Sequence, residues 1–266
     1  MPHNTLSATA IGSHLGPTLR PWQLQVVQQT DSTNTRLKEL AKSGRAADIM
    51  LAANHQTAGR GRLGRSFLSP AGSGIYMSLL LRPNLPMAHC TNLTVAAAVC
   101  VARALQQVCG LQADIKWVND LYVGGKKLCG ILTEGALGQN GMADHVVVGI
   151  GLNAGPLDCG NDHQLAAMVT SLEEELGHPV DRCRLIAAIL AEFDRYYADM
   201  DANHPDILEE YRRRMFLTGK EVTLSTDPEK RPHLVLGVDQ NAGLLVRSPQ
   251  GNTLTLQSGE VSIRKI

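Results

Sequence analysis

The chain has 266 residues, with 25 Lys and Arg against 25 Asp and Glu and no formal net charge. That length suits one large domain, or a main domain with a small companion. Hydrophobic residues make up 44% and charged residues 19%, which excludes a chain dominated by disorder. The charge balance disfavours a generic polyanion or membrane-surface binder, although a local basic patch remains open. The six cysteines contain no C-x-x-C and no tight Cys/His cluster, so the sequence offers no zinc site, and their apolar surroundings read as reduced core positions in a cytoplasmic protein. Residues 1–19 lack a basic start and an apolar core, and no run reads as a membrane span.

In chain order, residues 1–21 are rich in Gly, Pro, Ser, Thr and His without periodicity and read as a tail. A strand is predicted over 26–29. Asp31-Ser32-Thr33-Asn34 then offers N-cap side chains for a helix over 36–42. Strands follow at 49–54 and 74–81, separated by a glycine- and arginine-rich loop over 59–70. Residues 93–108 form a helix of small apolar residues suited to packing on a sheet. Further strands are predicted at 113–117, 121–123, 128–134 and 146–151, then helices at 165–176, 184–200 and 206–216. After Leu217 come five short strands, at 222–225, 234–239, 244–248, 253–256 and 261–264, parted by Pro, Gly and Asn turns. Such spacing indicates a small barrel or sandwich. At about 49 residues it would bury little alone, so it is expected to pack on the larger α/β part.

Three segments carry chemistry. Gly59-Arg60-Gly61-Arg62-Leu63-Gly64-Arg65 fits G-x-G-x-x-G, but Pro70, Gly72 and another strand follow where a dinucleotide fold needs a helix. What remains is three arginines among three glycines: backbone that can close on a ligand, and guanidinium forks that grip carboxylate or phosphate. The bland alternative is a solvated flexible loop. Lys116-Trp117-Val118-Asn119-Asp120, followed by Lys127, sets an amide, a carboxylate and an ammonium beside an aromatic face, although Asn119-Asp120 alone reads as a turn. Gly149-Ile150-Gly151-Leu152-Asn153 ends a buried strand in small and polar residues, a weak signal for an adenine or sugar contact.

Together, and in this order, Asp31–Asn34, Gln56–Arg65, Lys116–Asp120, Lys127-Leu128-Cys129-Gly130-Ile131-Leu132 and Gly149–Asn153 resemble the biotin–protein ligases, over about residues 22–266. The resemblance implies a mixed α/β catalytic domain like that of class II aminoacyl-tRNA synthetases over 22–217, and an SH3-like β-barrel over 218–266. It implies ATP-dependent activation of biotin to biotinyl-5′-AMP and transfer to a lysine of a carboxylase's biotin carboxyl carrier domain, with Mg²⁺ accompanying ATP and no protein-only metal site. By resemblance, Ser32, Thr33, Asn34 and Gln56 bind biotin, and Arg60, Gly61 and Arg62 close over it. Lys127 lies near the biotin carboxylate and the reacting phosphate. Arg62, Arg65, Asn119 and Asn153 face the nucleotide, and Asp120 sits beside the acyl-adenylate, so Arg62, Asp120 and Lys127 are the expected catalytic residues.

Val118 stands where many members have proline, and the roughly 20–30 residues before the first strand are too few for a winged helix-turn-helix. The expectation is therefore a ligase without a DNA-binding domain, with no DNA or membrane partner, acting as a monomer or weak homodimer. The rivals are a lipoate ligase or octanoyltransferase of the same fold, a DNA-binding biotin sensor and an inactive biotin-binding module.

Overall fold

The computed structural model describes residues 5–44, 47–198, 205–257 and 261–263. The expected helix end at Met200, the strand end at Arg264 and the 258–260 stretch lie outside them.

The main sheet has seven strands: β1 (Gln23–Thr30), β2 (Ile49–Gln56), β3 (Gly74–Leu81), β4 (Asp114–Lys116), β5 (Asp120–Val123), β6 (Lys126–Leu137) and β7 (Ala143–Asn153), in the order β1-β2-β3-β7-β6-β5-β4. Only β1 and β2 run parallel, because the helix α2 (Thr33–Lys42) carries the chain back between them; the remaining pairs are antiparallel, β4–β5, β5–β6 and β6–β7 through short turns and β2–β3 and β3–β7 through longer connections.

The period-two alternation of the central strands assigns the two faces. Met50 and Ala52 of β2, Ile75, Met77, Leu79 and Leu81 of β3, and Val146, Val148, Ile150 and Leu152 of β7 point to one face. There they meet α3 (Thr91–Cys109) and α6 (Arg182–Ala198). The small residues of α3, among them Ala96, Ala97, Ala98 and Ala102, let that helix lie close to the sheet, and Gly110 ends it in a left-handed turn. Each fully buried Leu or Val contributes about 1.5–3 kcal/mol. By composition, Met87–Cys109 is long and apolar enough to cross a membrane, contrary to the expectation that no run approaches that length, but 72% of its apolar window is buried in this core. On the other face, Ile49, Leu51, Leu80 and Val147 hold Leu37 and Ala41 of α2.

The expected tail contains a helix, α1 (Ala8–His14), capped by Ser7, whose side chain accepts the Ala10 N–H. Ile11 is wholly buried in the main core. One buried residue in a seven-residue helix leaves no periodicity to detect. Behind it, Asp194 of α6 accepts from the Leu19 and Arg20 backbone N–H groups and from Trp22 Nε1, tying residues 19–22 to that helix.

The single helix expected over 165–176 is two: α4 (His163–Met168) and α5 (Leu172–Leu176). Between them Val169 forms a bridge with Lys127, and Thr170 N–H donates to the Lys127 carbonyl. After α7 (Pro205–Arg214), the strands β8 (Glu221–Leu224), β9 (His233–Val238), β10 (Leu244–Arg247), β11 (Thr253–Leu256) and β12 (Val261–Ile263) form an antiparallel sheet in the order β11-β10-β9-β8-β12, the small all-β unit expected here. Its apolar residues Val222, Val235, Leu244 and Val246 continue the main core. Polar ties reinforce the packing: Trp117 Nε1 donates to the Ala242 carbonyl, and Arg212 donates to the carbonyl of Val238.

Candidate active site

The α2 face of the sheet changes character halfway along. Leu80 and Val147 are succeeded by Ser78 and Gly149, which pair across β3 and β7, and then by Tyr76 and Gly151. Removing side chains from one face opens a cavity of about 470 Å³ beside α2, within the size range of small-ligand sites. Both glycines are required by close approach. A Cβ at Gly149 would lie 2.1 Å from Asn34 Oδ1, and one at Gly151 would lie 2.6 Å from the ring of Phe67.

The structure brings together Ser32, Thr33, Asn34, Gln56, Arg60, Gly61, Arg62, Arg65, Asn119, Asp120 and Lys127 around this cavity. Ser32 occupies the N-cap position of α2 but makes no side-chain cap bond; of the residues read as capping groups, Ser32, Thr33 and Asn34 line the cavity, while Asp31 accepts the Ser32 N–H. Thr33 donates its N–H to Gln56 Oε1 (2.8 Å), and Gln56 Nε2 donates to Ser69 Oγ (3.0 Å). Asn34 donates to the Leu132 carbonyl and to Glu134 Oε2, and its oxygen lies 2.6 Å from the Ser78 hydroxyl. These buried polar groups are held by one another, which fixes their geometry before any ligand arrives.

The arginine–glycine loop is a hairpin with its own backbone pairing. Phe67 N–H donates to the Gly59 carbonyl and Gly61 N–H to the Arg65 carbonyl, with a short 3-10 turn at Arg62–Gly64. Leu63 at its tip has φ +54° and is 72% exposed. Arg62 Nη1 donates to Asn119 Oδ1 at 2.9 Å, while Asn119 Nδ2 donates to the Ile131 carbonyl on β6. Arg60 pairs with Glu134, which also holds Lys38. Burial pushes the Glu134 carboxyl up, but hydrogen bonds from Lys38 and Asn34 and the charges of Lys38 and Arg60 outweigh it and leave it below its ordinary value.

Lys127 Nζ lies 2.8 Å from Asp120 Oδ1, a buried oxygen with no directed hydrogen bond. Burial, helped by the Asp120 charge, pushes the Tyr122 hydroxyl up to about 12, so that wall position stays a neutral phenol. Among the described residues the wall carries five cations (Arg60, Arg62, Arg65, Lys116 and Lys127) against one carboxylate, Asp120. A chain with no net charge thus concentrates a positive field in one concave place, suited to a polyanionic ligand. No group of three His, Cys, Asp or Glu side chains suited to a metal occurs among the described residues.

Asn153 is not part of the described wall. It is buried, and its Nδ2 donates to the Thr170 carbonyl at 2.9 Å, joining β7 to the segment between α4 and α5. Sequence reasoning did not single out Phe67, Ser78, Tyr122, Glu134 or Val261, of which Phe67, Tyr122 and Val261 line the cavity. The run Gly149-Ile150-Gly151, apolar on one face and empty on the other, was the available signal for a ligand beside β7.

A family model described as the Biotin/lipoate A/B protein ligase family matches residues 26–153. A biotin–[acetyl-CoA-carboxylase] ligase of Paracoccus denitrificans is 33% identical over 230 residues, covering 85% of this chain and 95% of that protein. A bifunctional ligase/repressor BirA of Bacillus subtilis is 38% identical over 168 residues, 63% of this chain; the match spans 51% of its length, so the chain covers about half of that relative. Among solved structures, the biotin protein ligase of Aquifex aeolicus in complex with biotin and ATP superposes with a TM-score of 0.76 at 27% identity, covering 92% of this chain and 99% of that one. The chain belongs to the biotin/lipoate A/B protein ligase family, on the side of the biotin–protein ligases.

Proposed function

We propose that this chain condenses biotin with ATP to biotinyl-5′-AMP and passes the biotinyl group to a lysine of a carboxylase's biotin carboxyl carrier domain. The observation that carries this reading is the juxtaposition of a polar floor, Ser32, Thr33 and Gln56, with five cations in one cavity. The floor suits a cyclic urea. The Ser32 hydroxyl is not spent on its helix, and the Gln56 amide has a second N–H beyond the one given to Ser69. A lipoyl dithiolane has no groups to use those donors and acceptors. The named activities of the relatives from Paracoccus denitrificans and Aquifex aeolicus support the same choice.

The first step joins two anions, the biotin carboxylate and the α-phosphate of ATP, as the bond from that phosphorus to the β-phosphate oxygen breaks and diphosphate leaves. The carboxylate is the nucleophile, so the protein needs to position the pair and offset their repulsion. Arg60, Arg62 and Lys127 are placed for that, with Arg65 and Asn119 toward the nucleotide. Mg²⁺ enters as the counter-ion of ATP, and no step is assigned to a protein-held metal. In the second step an uncharged lysine amine attacks the acyl carbonyl and AMP leaves. Asp120 is the one carboxylate of the described wall, and it orients that amine or takes its proton. Asn153 acts through the backbone it holds rather than by touching nucleotide. Residues 22–217 form the catalytic unit and 218–266 close one wall through Val261; the protein works in the cytoplasm as a monomer or weak homodimer without DNA. The test is ATP-dependent formation of biotinyl-adenylate by the purified chain; adenylation of lipoate instead would overturn the assignment.

A further inference from the structure

Glu134 of β6 lies outside the cavity wall, and no step above uses it. Its carboxylate collects three donors from two elements. Lys38 Nζ lies 2.7 Å from Oε1 and Arg60 Nη2 3.1 Å from the same oxygen, while Asn34 Nδ2 donates to Oε2 at 3.0 Å. Lys38 and Asn34 are one turn apart on α2; Arg60 belongs to the arginine–glycine hairpin.

From Asn34 the polar contacts continue across the cavity floor. Its Oδ1 lies 2.6 Å from Ser78 Oγ, which lies 2.7 Å from Thr33 Oγ1. Thr33 donates to Gln56, Gln56 to Ser69, and Ser69 Oγ to the Phe67 carbonyl at 2.9 Å. The path therefore leaves Glu134, runs through Asn34, Ser78, Thr33, Gln56 and Ser69 and returns to the hairpin at Phe67, while Arg60 touches Glu134 directly.

We propose that Glu134 is a positioning residue that couples floor and hairpin, fixing how Asn34 faces the floor and holding the hairpin down through Arg60. A carboxylate only accepts hydrogen bonds, so it fixes the Asn34 amide with nitrogen toward β6 and oxygen toward Ser78. The same charge holds a guanidinium on the hairpin. A ligand that fills the floor thus acts on a hairpin that is already tethered. The proposal rests on the reading of the cavity as the biotin site.

Glu134→Gln and Glu134→Ala separate the two duties. Glutamine can keep its one carbonyl oxygen toward Asn34, but it turns an NH2 toward Lys38 and Arg60 and loses the charge that holds them; alanine removes both duties. Hydrogen exchange over residues 59–70 without ligand, thermal unfolding, the KM for biotin and the release of free biotinyl-adenylate are compared with the unaltered chain. With Arg60 half-exposed, the glutamine variant is expected to raise loop exchange about 3- to 5-fold and to release more adenylate, with the biotin KM within about 2-fold. The alanine variant is expected to raise the biotin KM about 10-fold or more as well. Lower melting temperatures with unchanged loop exchange and unchanged biotin KM would reduce Glu134 to a structural ion pair and overturn the proposal. If alanine prevents folding, exchange and adenylate release in the glutamine variant decide. The ligand-free exchange comparison stands whatever substrate is used, whereas failure of the unaltered chain to adenylate biotin would count against the functional reading alone.

Discussion

Asn34 Oδ1 and the missing side chain of Gly149 share one space: a Cβ on that glycine would sit 2.1 Å from the oxygen. Gly149→Ala therefore has to expel Asn34 from its contacts with Ser78, Leu132 and Glu134. Leaving such buried groups unpaired costs about 1–3 kcal/mol, which corresponds to about 5- to 150-fold in biotin affinity. Calorimetric titration with biotin checks this. Wild-type affinity in a folded Gly149→Ala chain would remove Asn34 from the recognition of biotin.

Arg62 reaches from the hairpin to Asn119 and is assigned to the phosphate that forms the adenylate. Arg62→Ala is expected to slow adenylate formation about 10- to 150-fold, the loss of one charge-assisted contact. It is also expected to let the intermediate escape and label lysines of an unrelated protein added to the reaction. Transfer at the normal rate, to the acceptor alone, would contradict the role.

Asp120→Asn keeps the shape of the side chain and removes the charge beside Lys127. The expected outcome is a split between half-reactions. Transfer from preformed biotinyl-adenylate falls about 10²-fold, the lower end of general-base contributions, whereas adenylate formation changes less. Single-turnover measurement of each step decides. Equal slowing of both would assign Asp120 to charge positioning throughout.

Acid is expected to loosen the protein at two identified places. Burial pushes the Glu210 carboxyl up, but Arg103 and Arg214 outweigh it, and like Glu134 it is held below its ordinary value of 4.5. A depressed folded value means that the stabilisation is complete above the unfolded value and disappears as pH falls through the folded one. Urea midpoints should therefore be level above about pH 5 and decline below about pH 4.5. Glu210→Gln should flatten that decline; an unchanged slope would place the acid sensitivity elsewhere.

The sequence was most legible where burial is one-sided and continuous. The strand predicted over 74–81 is β3 to the residue, because every position from Gly74 to Leu81 is buried. The five C-terminal strands were marked by their turns. The break between α4 and α5 was illegible because its cause lies elsewhere in the chain: Val169 and Thr170 leave the helix to pair with Lys127. The same holds at the site. Ser32, Thr33, Asn34 and Gln56 were reachable from their motif, but nothing local marks Ser78 or Glu134, which matter through partners 44 and 100 residues away in the chain. Asn153, expected toward the nucleotide, lies outside the described wall, and its Nδ2 donates to the Thr170 carbonyl.

The chain has two tryptophans, and they have separate environments. Trp22 gives its N–H to Asp194, behind the main sheet, whereas Trp117 lines the cavity and gives its N–H to Ala242 of the C-terminal sheet. A Trp22→Phe chain consequently carries a single tryptophan, at the junction of ligand and small sheet, whose indole can be excited apart from the five tyrosines. Its emission registers the filling of the cavity and the seating of β8–β12 from the same ring, without any label.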